Sequence, residues 1–513
     1  MVGYSLPQCP GRRNPDGVQK LNTVETLRKR NILLILLFSL AGFMVMGYHP
    51  GLEDDGVYLS AVQSDVNPAL YPHDSAFFRE QLQATLFDNW VADFIRWTHI
   101  PVAATELLWQ FASIVLIVIG CWSIARTLFP DARAQWAGVA LVTAMFTLPV
   151  SGAALYLVDQ HLHPRTVATA MILLAVAKIM AGKRLHALPL LLLAFAMHPI
   201  MAALGISFCS VLTLTTLEPV YAWARSWRDS LAAAVPLGWV FEPPSPAWRK
   251  ALETRRYFFL YKWTWYEWLG ALAPLLLFFV LWRVARRRGE TNLARFALAV
   301  FIYGVFHQAV AMAVLGSPEL IRLTPLQPMR YLHLVYFFMM LVGGCLLGKY
   351  LLKSSVLRWA VFLLAINVPM YAAQQAEFSG SEHLELPGMQ PANPWLQAFA
   401  WIRHNTPTDA YFALDPNYLA APGEDYHSFR ALAGRSQLAD GIKDTAVVTQ
   451  VPDLAPAWDQ QVTAQSGWSH FKLADFERLK AQFGVNWVLV SYPQPAGLPC
   501  PWHNSKLAVC TVP

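Results

Sequence analysis

The chain has 513 residues, of which 55% are hydrophobic and only 14% charged. A soluble protein carries roughly 25% charged residues, so this deficit, together with long uncharged runs, excludes a soluble enzyme and points to a polytopic membrane protein. The formal charge of +6 calls for no nucleic-acid partner, because the basic residues gather at the ends of apolar runs, as membrane topology requires.

Residues 1–30 are largely polar and end in Arg28-Lys29-Arg30. They read as a cytoplasmic segment before a signal anchor that is not cleaved, since the apolar run starts late and no small-residue cleavage site follows it. A span needs roughly 20 apolar residues. Runs of that kind fall at 31–48, 102–127, 135–157, 165–181, 186–215, 266–284, 294–316, 331–352 and 356–374. The run 186–215 is too long for one straight span, and His198-Pro199 at its middle predicts a kink or two half-helices. Nine spans put Lys183-Arg184, Arg286-Arg287-Arg288 and Lys349, Lys353 and Arg358 on the same side as Arg28-Lys29-Arg30. Ten spans are the alternative, and that count moves the Arg286 cluster to the other side. The expectation is a multi-pass protein of the cytoplasmic (inner) membrane, with its N-terminus cytoplasmic, a membrane module over 31–375 and the tail 376–513 outside.

The first outer loop, 49–101, opens with Glu53-Asp54-Asp55-Gly56. Carboxylates at a membrane boundary are costly against lipid and useful against a polar substrate. Further along, Phe77, Phe78, Leu82, Leu86, Phe87, Trp90, Val91, Phe94 and Trp97 recur at three- and four-residue spacing, which predicts a surface helix over 75–97 lying in the membrane plane. The loop 216–262 mixes Trp, Arg and Pro and reads as a second interfacial approach. In the tail, helical spacing at 395–404 and 473–483 alternates with strand-like 411–414, 487–490 and 506–512. That alternation predicts an outer α/β domain of about 120 residues. Cys121, Cys209 and Cys345 lie in apolar runs, whereas Cys500 and Cys510 bracket a polar turn and are spaced for a disulfide in an oxidising compartment.

By this topology one membrane level collects Glu53, Asp54, Asp55, Asp159, His161, His163, Arg165, His198 and Arg330. A carboxylate there can serve as general base, Arg and His can hold a phosphate leaving group, and Asp with His can bind a divalent metal. His307, deep in an apolar run, reads as a packed bundle histidine.

The segments Glu53-Asp54-Asp55-Gly56-Val57-Tyr58, Asp159-Gln160-His161-Leu162-His163-Pro164-Arg165 and Met197-His198-Pro199 carry a resemblance. So do the tail segments 401–410, Phe429-Arg430, Arg435 and Lys443-Asp444. With the span count and the outer α/β domain, they resemble the GT-C superfamily of membrane glycosyltransferases. The resemblance implies transfer of a sugar from a polyprenyl-phosphate carrier to a saccharide, lipid or protein acceptor on the outer face of the membrane. It implies a loop-one Asp as base or metal ligand, with Asp55 favoured over Asp54 and Asp159 as the second acidic group. It implies Glu53, His161, His163, Arg165, His198 and Arg330 around the substrate, the last three as candidates for the carrier phosphate, and helix 75–97 guiding the lipid. Asp55, Asp159 and His163 are the candidates for a divalent metal, Mg or Mn, whose requirement stays open. The tail lacks the WWDYG-type motif of oligosaccharyltransferases, so no N-glycan transferase is expected. A non-catalytic transporter or assembly factor for lipid-linked saccharides is the competing reading; against it, no internal repeat is visible.

Overall fold

The computed structural model describes residues 15–215 and 241–513, with side chains from Lys29 onward. Part of the expected interfacial loop, 216–240, and residues 1–14 of the N-terminal segment lie outside the described residues. Among the described residues, six helices are long and apolar enough to cross a membrane, and they mark a multi-pass protein. They are α1 (Pro15–Met46), α5 (Val102–Leu128), α11 (Trp265–Arg287), α12 (Thr291–Gly316), α13 (Leu332–Leu347, whose apolar stretch runs from Pro328 to Leu352) and α14 (Val356–Glu377). Their outer sides are apolar: Leu269, Leu272, Leu276 and Val280 of α11 and Leu357, Val361, Leu364 and Val368 of α14 are all exposed. Aliphatic residues of that kind on one helix face fit lipid rather than water.

Three of the expected runs form shorter helices. The stretch 135–157 is helical only as α6 (Ala132–Ala144), and then turns through a two-residue hairpin, β1 (Pro149–Val150) and β2 (Leu155–Tyr156). Gly152 at its tip has φ of +60°, and a Cβ there would lie 1.9 Å from the Trp263 ring, so the hairpin needs glycine twice over. The next run is α7 (Pro164–Met180). The long run breaks at His198 into α8 (Ala187–Met197) and α9 (Pro199–Leu214), because Pro199 cannot continue α8 and His198 is extended at φ −153° and ψ 95°.

The first loop packs inward. After α2 (Tyr58–Val66), the stripe forms two helices, α3 (Ala76–Leu82) and α4 (Phe87–Thr98), rather than the single helix expected over 75–97. Much of the stripe is internal: Phe77, Phe78, Leu82, Phe87, Val91 and Ile95 are buried in protein, while Leu86, Trp90 and Trp97 remain exposed.

The tail forms a mixed sheet in the order β4-β3-β5-β7-β6. Its strands are β3 (Tyr411–Ala413), β4 (Ser436–Gln437), β5 (Trp487–Ser491), β6 (Trp502–His503) and β7 (Leu507–Thr511). β3 runs parallel to β4 and β5, and β7 runs antiparallel to β5 and β6. Helices α15 (Pro394–Asn405), α16 (Phe429–Ala433), α17 (Lys443–Gln450), α18 (Ala455–Ala464) and α19 (Leu473–Phe483) cover it. Two buried clusters, one around Phe399, Phe412 and Phe429 and one around Phe476, Val488 and Leu479, make its core. Cys500 and Cys510 form a disulfide. Ahead of α11, a short helix α10 (Pro246–Glu253) buries Trp248 against Val448 and Trp458 of this domain.

Candidate functional site

The acidic turn is pinned from both sides. Gly51, with φ of +80°, lets the chain pass so close to Leu432 that a Cβ would lie 2.5 Å from its Cγ. Backbone bonds then tie the turn to the tail: Ser428 donates to the Gly51 carbonyl at 2.8 Å and Glu53 donates to that of Tyr426 at 2.9 Å. In this setting the two aspartates part company. Asp54 faces a cavity of about 320 Å³, and Asp55 turns into the protein at 1% exposure.

Asp55 accepts from the Gly51 amide at 2.8 Å and meets the side chain of Glu106 on α5. Burial first, and the nearby Glu106 charge second, push its carboxyl well above the usual carboxylate range. Of the two aspartates, Asp54 and not the expected Asp55 lines the cavity.

Asp54 is held by three basic groups. Its Oδ1 accepts from Lys443 Nζ at 2.5 Å, its Oδ2 accepts from His163 at 3.0 Å, and Arg165 stands 4.0 Å away. Burial works against the ionised form, but Lys443, the His163 hydrogen bond and Arg165 outweigh it and hold the carboxyl well below its ordinary value. The tautomer of His163 follows from its partners. The Arg165 amide donates to Nδ1 at 2.9 Å, capping α7, so Nε2 carries the hydrogen that goes to Asp54. Burial, and then the Arg165 charge, keep His163 on the neutral side. The same device recurs at His198, whose Nδ1 accepts from the Met201 amide at 3.4 Å and caps α9. Both histidines precede a proline at the first helical position, where no amide hydrogen is needed.

The remaining walls come from distant segments. Tyr58 of α2 sets its ring edge against His163, with centroids 4.7 Å apart. Arg330 and Gln327, just before α13, face the cavity, as do Arg255 after α10 and Lys443 and Gln450 of α17. The cavity thus holds four full cations, Arg165, Arg255, Arg330 and Lys443, against the carboxylates of Glu53, Asp54 and Glu80. Nε of Arg255 and Nε of Arg330 are buried without a hydrogen-bond acceptor. Such donors are expensive to leave unmatched, and a phosphate oxygen would satisfy them.

Of the expected site residues, Glu53, Asp54, His163, Arg165, His198 and Arg330 line this one cavity. Asp159 does not. It is buried, chelates Arg165 through both carboxylate oxygens at 2.5 and 3.2 Å, and accepts from Thr166 at 3.2 Å. Arg165 holds it ionised against burial, so Asp159 positions Arg165 rather than serving as a second cavity carboxylate. His161 is also buried beside the site, pushed down to about 3 chiefly by burial. Asp55, Asp159 and His163 do not converge as a metal set, because each is bound to a different neighbour. Lys443 and Arg255 had no assigned site role from sequence. Arg255 sits in a loop without a motif, and Lys443 lies 389 positions from Asp54.

Beside the cavity the surface is apolar. The Leu86 amide donates to the Ala196 carbonyl at 2.8 Å, which brings the break between α3 and α4 to the end of α8. Leu86 and Trp90 on one side and Leu192 and Phe195 on the other are exposed there at 45%, 38%, 62% and 52%.

Fold and cavity together define a multi-pass helical membrane protein whose C-terminal mixed-sheet domain closes over a polar, cation-rich chamber at one end of the helices. No protein-family model matches the chain, and no curated protein matches it in sequence. Among solved structures it is similar to the archaeal oligosaccharyltransferase AglB from Archaeoglobus fulgidus, solved in complex with an inhibitory peptide and a dolichol-phosphate. That likeness has a TM-score of 0.46 and 12% identity, over 90% of this chain and 70% of the other.

Proposed function

We propose that the chain is a membrane glycosyltransferase that moves a sugar from a polyprenyl-phosphate carrier to an acceptor hydroxyl on the outer face of the cytoplasmic membrane. One observation carries the reading: an ionised Asp54 faces a chamber with four cations, and the chamber borders exposed apolar side chains at Leu86, Trp90, Leu192 and Phe195. A lipid-linked sugar phosphate matches those parts in order, with its chain on the apolar border, its phosphate among the arginines and its sugar against the carboxylate.

In the reaction the acceptor oxygen attacks the anomeric carbon, and the bond from that carbon to the phosphate oxygen breaks. The electron pair leaves with the phosphate, where Arg330, Arg255 and Arg165 neutralise it. The proton of the acceptor goes to Asp54. A carboxylate so strongly held by Lys443 is a weak base, but a bound phosphate competes for Lys443 and restores basicity when the donor is in place. The gathering of polar groups at one end of the helices favours this reading over a transport pathway, which needs them through the membrane depth. The disulfide between Cys500 and Cys510 fits a tail in an oxidising compartment.

The test uses the full chain in lipid nanodiscs with polyprenyl-phosphate sugars, reading release of polyprenyl phosphate in the presence of saccharide, lipid or peptide acceptors. Asp54→Asn should lower turnover on the order of 10²- to 10⁴-fold, as loss of a general base does, while still binding polyprenyl phosphate. Equal turnover by Asp54→Asn and the parent chain, or no binding of polyprenyl phosphate by either, overturns the reading.

A further inference from the structure

Away from the chamber, three side chains from three separate segments meet at one point. His49 follows α1, Glu385 follows α14, and His427 belongs to the C-terminal domain. One donor atom of each lies within 4.8 Å of the other two. His49 Nδ1 is 2.9 Å from Glu385 Oε1, and His427 Nε2 is 3.0 Å from both carboxylate oxygens. Both imidazoles are fully buried, and Glu385 keeps 11% of its side chain exposed.

The hydrogen bonds around His427 settle which nitrogen is which. Its Nδ1 lies 2.9 Å from the Glu424 carbonyl, which only accepts, so Nδ1 carries a hydrogen. Nε2 of a neutral ring would turn a lone pair toward a carboxylate that is itself only an acceptor. Two such acceptors at 3.0 Å need a positive charge between them, and a proton on Nε2 or a bound cation meets that need. An imidazole whose second nitrogen donates to a backbone carbonyl is also the arrangement that orients a metal-bound histidine. The third donor, His49, is fixed by stacking on Phe378 at 4.2 Å and by the hydrogen bond its backbone amide donates to the Gln160 carbonyl at 3.0 Å. Of the three donors, Glu385 alone also lines a neighbouring cavity of about 230 Å³.

The geometry points to a divalent transition-metal site formed by His49, Glu385 and His427, with zinc as the best-matched ion. Two imidazoles and one carboxylate suit zinc, and magnesium or calcium would prefer oxygen donors. The site is a clamp rather than a second reaction centre. His49 lies five residues before Asp54, and Tyr48 already exchanges backbone bonds with His383 and Glu385. A metal here would lock the exit of α1, the segment after α14 and the C-terminal domain into one unit beneath the acidic turn. It does not depend on the proposed transferase reaction.

The experiment is metal analysis of the full chain, purified in detergent through a tag without histidine, stripped with chelator, reloaded with zinc and dialysed. About one zinc per chain should remain, held by imidazole nitrogens and a carboxylate oxygen at ~2.0–2.2 Å in X-ray absorption. His49→Gln and His427→Gln should each reduce the retained zinc at least tenfold. X-ray absorption on the parent chain guards against a variant that fails to fold, because it reads the ligands directly. No retained zinc in the parent chain, a zinc shell without two imidazoles, or full retention in a folded His427→Gln protein overturns the assignment.

Discussion

At the scale of single residues, the chemistry turns on which of two neighbouring aspartates reaches the chamber. Asp54 owes its ionised state to Lys443 before any other partner. The sign is simple: removing a cation favours the protonated acid, so the Asp54 value must rise in Lys443→Met. The acid limb of kcat/KM reports the free enzyme's base. In the parent chain that limb should lie below the ordinary carboxylate range near about 4, and in Lys443→Met it should move up by at least about one pH unit, as loss of roughly 1.4 kcal/mol of differential stabilisation requires. An unmoved limb would remove Lys443 from its role. Residue chemistry was partly legible in the sequence. Glu53, Asp54, His163, Arg165, His198 and Arg330 were visible as polar groups at the ends of apolar runs, and these six reach one cavity. The choice between Asp54 and Asp55 was not visible, because it depends on Glu53 adopting φ of +38° and on tail residues hundreds of positions away. The clamp of His49, Glu385 and His427 was hidden for the same reason, since nothing local links residues separated by 336 and 42 positions.

At the scale of elements, the sequence spoke clearly where the period was strong. The strand-like runs at 487–490 and 506–512 appear as β5 and β7, and the helical spacing at 473–483 appears as α19 with the same bounds. It misled where an amphipathic stripe had two candidate partners. The apolar face over 75–97 suits lipid and protein equally, and tertiary packing takes most of it: Phe87 meets Tyr58, with ring centroids 5.9 Å apart, and Phe78 meets Tyr71 at 5.3 Å. What is left over is Leu86, at the break between α3 and α4 and bonded through its amide to Ala196, and Trp90, one turn into α4. Their position beside the chamber predicts a contact with the carrier's chain. The double change Leu86→Ser and Trp90→Ser should raise KM for a long-chain polyprenyl-phosphate donor on the order of tenfold, equivalent to about 1.4 kcal/mol of lost apolar contact. It should leave kcat, and KM for a short-chain donor analogue, nearly unchanged. A uniform loss across chain lengths would show that the two residues support the fold instead.

At the scale of the whole molecule, the chamber is walled jointly by the first loop, the helices and the docked tail, and one buried guanidinium is central to that docking. Arg430 of α16 is 1% exposed. Its Nε donates to Asp74 of the first loop at 2.7 Å, and its two terminal nitrogens donate to Asp444 of α17 at 3.0 and 3.2 Å. Asp74 spends the same oxygen on the Gln437 amide at 3.0 Å, and Tyr71 donates to the Arg430 carbonyl at 2.9 Å. Loop one, α16, β4 and α17 are thus joined through one charge pattern, −, +, −, held out of water. Such a triad is a weak source of net stability compared with an apolar replacement, but removing a single member strands the others, at about 3–5 kcal/mol. Arg430→Met leaves two buried carboxylates facing each other without the cation, so it should be the most damaging change in the domain. Asp444→Asn keeps a hydrogen-bond acceptor and removes one charge, so it should be milder. The consequence reaches the active chamber because Asp444 adjoins Lys443, the residue that holds Asp54. Arg430→Met is therefore expected to unfold at lower temperature, to expose the junction between loop one and the tail to protease, and to lose polyprenyl-phosphate binding together with the docking. Retained binding in an Arg430→Met protein whose tail is cleaved from loop one would mean that the helices form the phosphate site without the domain.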